Sequence, residues 1–113
     1  MKVSVWMTTY NHEKYISQCL DSVLAQKTDF DFEIILGEDC STDSTREIVI
    51  EYQKKHPDKI KLFLPEKNMG AMEIDIPTWK MCSGKYLALL SGDDYWTDEN
   101  KLKLQADYLD NNP

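Results

Sequence analysis

Four short apolar runs alternate with four stretches of helical periodicity, and this alternation constrains the fold more than any other feature. Val3-Ser-Val-Trp-Met7, Phe32-Glu-Ile-Ile-Leu36, Ile60 to Leu64 and Lys85 to Leu90 are the length of buried strands and rich in β-branched or bulky apolar residues. Tyr15, Ile16, Cys19, Leu20, Val23 and Leu24 recur at the spacing of one buried helix face. This helix should be capped by Asn11 and end near Gln26. A second helix is expected from about Ser44 to His56, with Ile48, Val49 and Tyr52 inward. Ser44 or Asp43 would cap it and Pro57 would stop it. Around Trp79 to Cys82 a third helix is expected to become regular only near Pro77, with Gly84 as its C′ residue. A last helix should span roughly Asn100 to Leu109. The order βαβαβαβα with short connections predicts a mostly parallel sheet with helices on both faces.

Size and composition limit what such a sheet can be. With 113 residues, 42% hydrophobic and 29% charged, the chain is one ordinary globular domain. The net charge of −7 opposes a nucleic-acid partner, because an acidic surface repels phosphate backbones. It also opposes adsorption to anionic lipid. Cys19, Cys40 and Cys82 are odd in number and include no CxxC pair, so no disulfide framework or zinc site is indicated. A reducing compartment is expected. No apolar run approaches the ~20 residues of a membrane span, and the start lacks a leader pattern. A cytoplasmic location follows as an expectation, with membrane association only through parts outside this chain.

Three strands end in polar residues: Thr8-Thr9-Tyr10-Asn11, Glu38-Asp39 and Asp93-Asp94. A parallel sheet places all three sets on its carboxyl edge, where open α/β sheets bind ligands. Polar loops after strands are also ordinary solvated surface. Adjacent carboxylates, however, repel unless a cation or proton intervenes. Oxygen ligands there suit Mg²⁺ or Mn²⁺, which are commonly held by one or two carboxylates plus substrate phosphates. Dinucleotide-binding, P-loop and nucleophile-elbow motifs are missing. His12, His56 and Cys40 carry little catalytic signal. The basic stretch from Lys54 to Lys67 reads as solvated surface. Trp79 is expected in the core, and Trp96 either in the core or stacked on a ligand.

Taken in order, the motifs resemble family 2 glycosyltransferases of the GT-A fold. The matching segments are Val3 to Asn11, Ser22-Val-Leu-Ala-Gln26, Phe32 to Asp43, Asn68-Met-Gly70 and Gly84 to Trp96. The resemblance implies a Rossmann-like, GT-A-like sheet that grips a nucleotide-diphosphate sugar, possibly a UDP-sugar. The acceptor would be a glycan or other hydroxyl, and the setting polysaccharide biosynthesis. It further implies nucleotide contacts from Thr8, Tyr10, Glu38, Asp39 and Asp93. A Mn²⁺ or Mg²⁺ ion would sit on Asp93 of a DxD-like motif, with Asp94 as a second ligand. Residues 1–113 would form the donor-binding half, the acceptor half and its catalytic base lying outside the chain. A non-catalytic nucleotide-sugar-binding module is the alternative. Three positions depart from the family pattern. Ser91 replaces the first acid, and Cys40 replaces a small glycine. Glu73 and Asp75 stand where an arginine is common, which leaves Lys80 as a candidate diphosphate contact.

Overall fold

The computed structural model describes residues 1–112. Its elements are β1 (Val3–Thr9), α1 (Ile16–Leu24), β2 (Phe32–Glu38), α2 (Thr45–Lys55), β3 (Ile60–Phe63), α3 (Ala71–Met81), β4 (Tyr86–Ser91) and α4 (Lys101–Asn111). The four strands form one sheet in the order β3-β2-β1-β4. Every pairing is parallel, so the expected α/β architecture holds.

Strand parity divides the molecule into two layers. Val3, Val5 and Met7 of β1 and Phe32, Ile34 and Leu36 of β2 share a core with α1, α2 and α4. The opposite face carries Trp6, Ile35 and Gly37 and is covered by α3, through Ile74 and Thr78. Period-2 alternation therefore serves both faces, with three helices on one and a single helix on the other.

Local boundaries depart from the sequence reading in three places. Asn11 does not cap α1. Its backbone is left-handed at φ 53°, and its Oδ1 accepts the Thr42 N–H at 2.9 Å. The helix begins only at Ile16, after a turn closed on the His12 carbonyl.

Pro77 does not delay α3, which runs through it from Ala71. The lost hydrogen bond is outweighed by anchoring at both ends. Ile74 and Thr78 are buried against the sheet, and the segment before the helix is tied to Asp39. Gly84 is not a C′ residue, because α3 ends at Met81 and Cys82 is already extended. Gly84 is needed for close approach instead: a Cβ there would lie 2.4 Å from the Ser4 backbone nitrogen. The Gly84 N–H donates to Ser4 Oγ at 2.8 Å.

α2 starts where expected. Asp43 does the capping work, its Oδ1 accepting the Thr45 N–H at 2.9 Å.

Candidate functional site

β1 lies between β2 and β4, so the chain reverses its direction of travel across the sheet on either side of β1. Neighbouring crossovers leave opposite faces at such a point, and a crevice opens at the carboxyl ends of the strands. The ladder continues past the strands: Asp39 N–H donates to Thr9 O at 3.0 Å and Gly92 N–H to Thr8 O at 3.2 Å. All three polar strand ends are thereby brought to one edge.

Two clefts occupy that edge. One, of about 400 Å³, is lined by Thr8, Tyr10, His12, Asp39, Asn68 and Ser91, among others. The other, of about 330 Å³, includes Trp6, Asp75, Leu89 and Asp94 in its lining. Thr8 and Ser91 line both, so the clefts adjoin.

Asp39 is nearly buried and already partly engaged. Its two carboxylate oxygens accept the backbone N–H groups of Met69 and Gly70 at 2.7 and 2.9 Å. Asn68 Nδ2 donates to the Asp39 carbonyl at 2.9 Å. The Asn68-Met-Gly70 loop is thus pinned to the end of β2. Each carboxylate oxygen keeps a lone pair for a ligand N–H.

Glu38 is fully buried and turned away from both clefts. Arg46 Nε lies 2.7 Å from its Oε1, and the Ser41 backbone N–H and hydroxyl donate to it. Its surroundings account for the whole carboxylate as a clamp on the 38–46 turn.

The turn after β4 separates its two carboxylates. Asp93 is half-exposed, and its Oδ2 lies 4.0 Å from His12 Nε2. His12 Nδ1 is in turn 2.8 Å from Thr9 Oγ1. The Ser91 hydroxyl beside Asp93 holds that carboxyl below its ordinary value against the opposing effect of burial, with lesser help from the turn's own backbone N–H and the His12 ring. Asp94 lines the second cleft with Asp75. Gly92 permits this geometry, since a Cβ would meet Thr9 Oγ1 at 2.3 Å and His12 Nδ1 at 2.9 Å.

Among the described residues, no group of three or more His, Cys, Asp or Glu is arranged to hold a metal. Carboxylate oxygens such as those of Asp93 and Asp94 are the hard ligands that a Mg²⁺ or Mn²⁺ ion takes alongside phosphates.

Several expectations change here. Lys80 sits in the last turn of α3. The start of that helix lies at the clefts, while Ser83 just beyond its end meets Ser4 and Glu33 near the amino ends of the strands. Lys80 is therefore at the far edge and supplies no diphosphate contact. Trp79, expected in the core, is 54% exposed, because Trp79 follows the inward Thr78 on α3 and falls off the buried stripe. Trp96 packs against the core. His12, Asn68 and Asp75 line the clefts. His12 lacked any periodic or motif signal, whereas Asn68 stood in the Asn-x-Gly segment.

Among the described residues, no helix is long and apolar enough to cross a membrane. An uncharacterised protein from Mycobacterium tuberculosis is 40% identical over 111 residues, covering 98% of this chain and 32% of that protein. The poly(ribitol-phosphate) β-N-acetylglucosaminyltransferase TarS of Staphylococcus aureus is 37% identical over 97% of this chain and 19% of its own length. The crystal structure of S. aureus TarS 1–349 in complex with UDP superimposes with a TM-score of 0.84 at 36% identity, over 98% of this chain and 32% of that one. The same TarS segment has been solved with UDP-GlcNAc, also at a TM-score of 0.84. This chain therefore spans about a third of the length of the first curated relatives it matches. The model of the family "Glycosyl transferase family 2" matches residues 4–113. With nearly every residue inside that match and the parallel sheet in agreement, the chain belongs to glycosyltransferase family 2.

Proposed function

We propose that this chain is the donor-binding part of a sugar transferase that takes a nucleoside-diphosphate sugar, with UDP-sugars the first candidates. The observation that carries this reading is the pair of adjoining clefts at the β1/β4 switch point, lined by Asp39, Ser91 and Asp94, with Asp93 beside the cleft residue His12. Support also comes from TarS, a relative solved with UDP and with UDP-GlcNAc. In this reading Asp39 and Asn68 receive the base, and Thr8 and Tyr10 flank the nucleotide. Ser91 and Asp93 face the diphosphate, with Asp94 on the sugar side. Glu38 shapes the turn beneath Asp39 through Arg46 and makes no nucleotide contact.

Asp93, with Asp94 next to it in the turn, would hold a Mn²⁺ or Mg²⁺ ion. Lewis-acid stabilisation of a leaving diphosphate is the chemistry such an ion supplies when bound. The chain's own contribution is to keep Asp93 ionised beside Ser91 and to orient the phosphates from Thr8 and the β4 turn. Activation of an acceptor hydroxyl needs a general base, which this reading assigns to the remainder of the longer proteins. Ser91 in place of an acid favours a second reading, in which the sugar nucleotide is bound without transfer.

Calorimetric titration with nucleoside diphosphates, with and without Mn²⁺, tests the proposal. UDP should bind more tightly with Mn²⁺. Asp93→Asn should abolish that gain while sparing the fold, and Asp94→Asn should reduce it less. Asp39→Ala should weaken binding by roughly 1–3 kcal/mol, the scale for losing a buried polar partner. Equal affinities with and without metal in the parent would overturn the metal role of Asp93, and UDP binding that is absent in the parent or unchanged in Asp39→Ala would overturn the donor-site reading. Sugar transfer or release from UDP-GlcNAc by the longer relatives, set against binding alone, separates the two readings.

A further inference from the structure

The acidic turn is exposed, yet the chain on either side of it is tethered to one helix face. Cys19, Ser22 and Gln26 stand at i, i+3 and i+7, the first two in α1 and Gln26 just beyond its end. Each holds a different point of the segment from β4 to α4. The Cys19 thiol donates to the Ser91 carbonyl at 3.5 Å. Ser22 Oγ donates to Cys19 O at 2.7 Å and accepts the Trp96 N–H at 3.0 Å. Gln26 is 8% exposed, and its side-chain amide works at both ends. Nε2 donates to Asp98 O at 2.8 Å, and Oε1 accepts the Leu102 N–H at 3.0 Å. Asn100, at the N-cap of α4, makes no side-chain cap bond. The Gln26 amide therefore takes over part of that duty from another element.

This arrangement has a direct bearing on Asp93 and Asp94. Before them, the backbone is fixed by the Gly92-to-Thr8 bond and by the Asp94 N–H on Ser91 O at 3.0 Å. After them, the next tether is the Trp96 N–H on Ser22, two residues beyond Asp94. Between these points the side chains of Asp93, Asp94 and Tyr95 are exposed. Packing cannot hold exposed groups, so hydrogen bonds at the two ends of the turn must do so.

We infer that Ser22 and Gln26 are positioning residues whose hydrogen bonds set the geometry of the Asp93-Asp94 turn for metal-assisted diphosphate binding. The inference rests on the donor-site reading. It goes beyond it by assigning a role to two residues remote from the ligand. Groups that orient a metal-binding carboxylate without touching the ion are commonly worth ten- to a hundredfold in affinity.

The test is the ratio of UDP affinities with and without Mn²⁺, measured by calorimetry on the parent, Ser22→Ala, Ser22→Thr and Gln26→Met. Ser22→Ala and Gln26→Met should each lower that ratio about tenfold and leave metal-free UDP affinity unchanged. Ser22→Thr keeps the hydroxyl and should restore the parent ratio. A purely structural role would reduce the number of competent sites or weaken both affinities together, and that result overturns the inference. An unchanged ratio in Ser22→Ala overturns it as well. If Gln26→Met does not fold, the Ser22→Ala and Ser22→Thr pair decides alone. A parent that binds UDP with no metal-dependent gain refutes the metal role of the Asp93-Asp94 turn and this inference with it, whereas a parent that binds no UDP refutes the donor-site reading.

Discussion

Cys40 holds a backbone conformation that an L-residue adopts at a cost. Its φ is 55°, in the left-handed region that glycine enters freely. The turn after Asp39 therefore keeps a shape suited to glycine although a cysteine occupies it. The strain is about 1–2 kcal/mol, against about 0.5–1 kcal/mol of extra chain entropy that glycine loses on folding. Cys40→Gly should raise stability by roughly 0.5–1 kcal/mol, read as a higher midpoint in urea unfolding at unchanged m-value. A lower midpoint would mean that the Cys40 thiol on the Glu66 carbonyl, at 3.4 Å, outweighs the strain. Cys19 is chemically different. Burial, with the nearby charges of Asp94 and Asp93, pushes its thiol up to about 12, so it stays protonated and can donate to Ser91.

At the scale of elements, the amino edge of the sheet is organised by Glu33 of β2. This carboxylate is fully buried, and all its partners come from other segments. Lys61 Nζ lies 2.8 Å away, Ser4 Oγ 2.5 Å, and the Ser83 N–H and hydroxyl each 2.8 Å. It therefore joins β1, β2, β3 and the α3–β4 connection. Burial pushes its carboxyl up, but Lys61, Ser4 and Ser83 together outweigh burial and bring it from 4.5 down to about 2. A carboxyl whose folded value is depressed stabilises the fold fully above its unfolded value. That stability should be present above pH 4.5 and be lost as pH falls toward 2. Glu33→Gln should cost about 2–3 kcal/mol at neutral pH. Its deficit relative to the parent should shrink across the same acid range. Thermal midpoints of both proteins between pH 2 and pH 6 check this, and parallel curves would show that Glu33 does not titrate with folding.

The whole molecule carries a net charge of −7, and its proposed ligand is also anionic. Like charges slow encounter, and salt screens that repulsion beyond a Debye length of about 10 Å at 0.1 M. Without metal, the association rate of UDP should therefore rise as ionic strength increases. A basic phosphate-binding domain shows the opposite slope. Stopped-flow measurement over a range of NaCl concentrations reads the sign directly. A rate that falls with added salt would mean that a local positive field at the clefts overrides the overall charge.

Element order, strand length and the parallel arrangement were legible because they depend on local periodicity and short connections. Tyr10, Asp39 and the β4 acids were legible as a group because a parallel sheet sends every strand end to one edge. Tertiary contacts decided the rest. Asp39 was readable as a polar strand end, but only the fold shows its carboxylate holding the Met69 and Gly70 amides. Glu38, its neighbour, looked equivalent in sequence and is instead spent on Arg46, eight residues away. Local rules delayed the regular helix to Pro77, yet α3 starts at Ala71 and runs through Pro77 with Ile74 and Thr78 buried. The Ser22 and Gln26 tethers span more than seventy residues of chain. Periodicity records which face of a helix is apolar. It carries no information about which distant backbone amide a buried hydroxyl or amide on that face will meet.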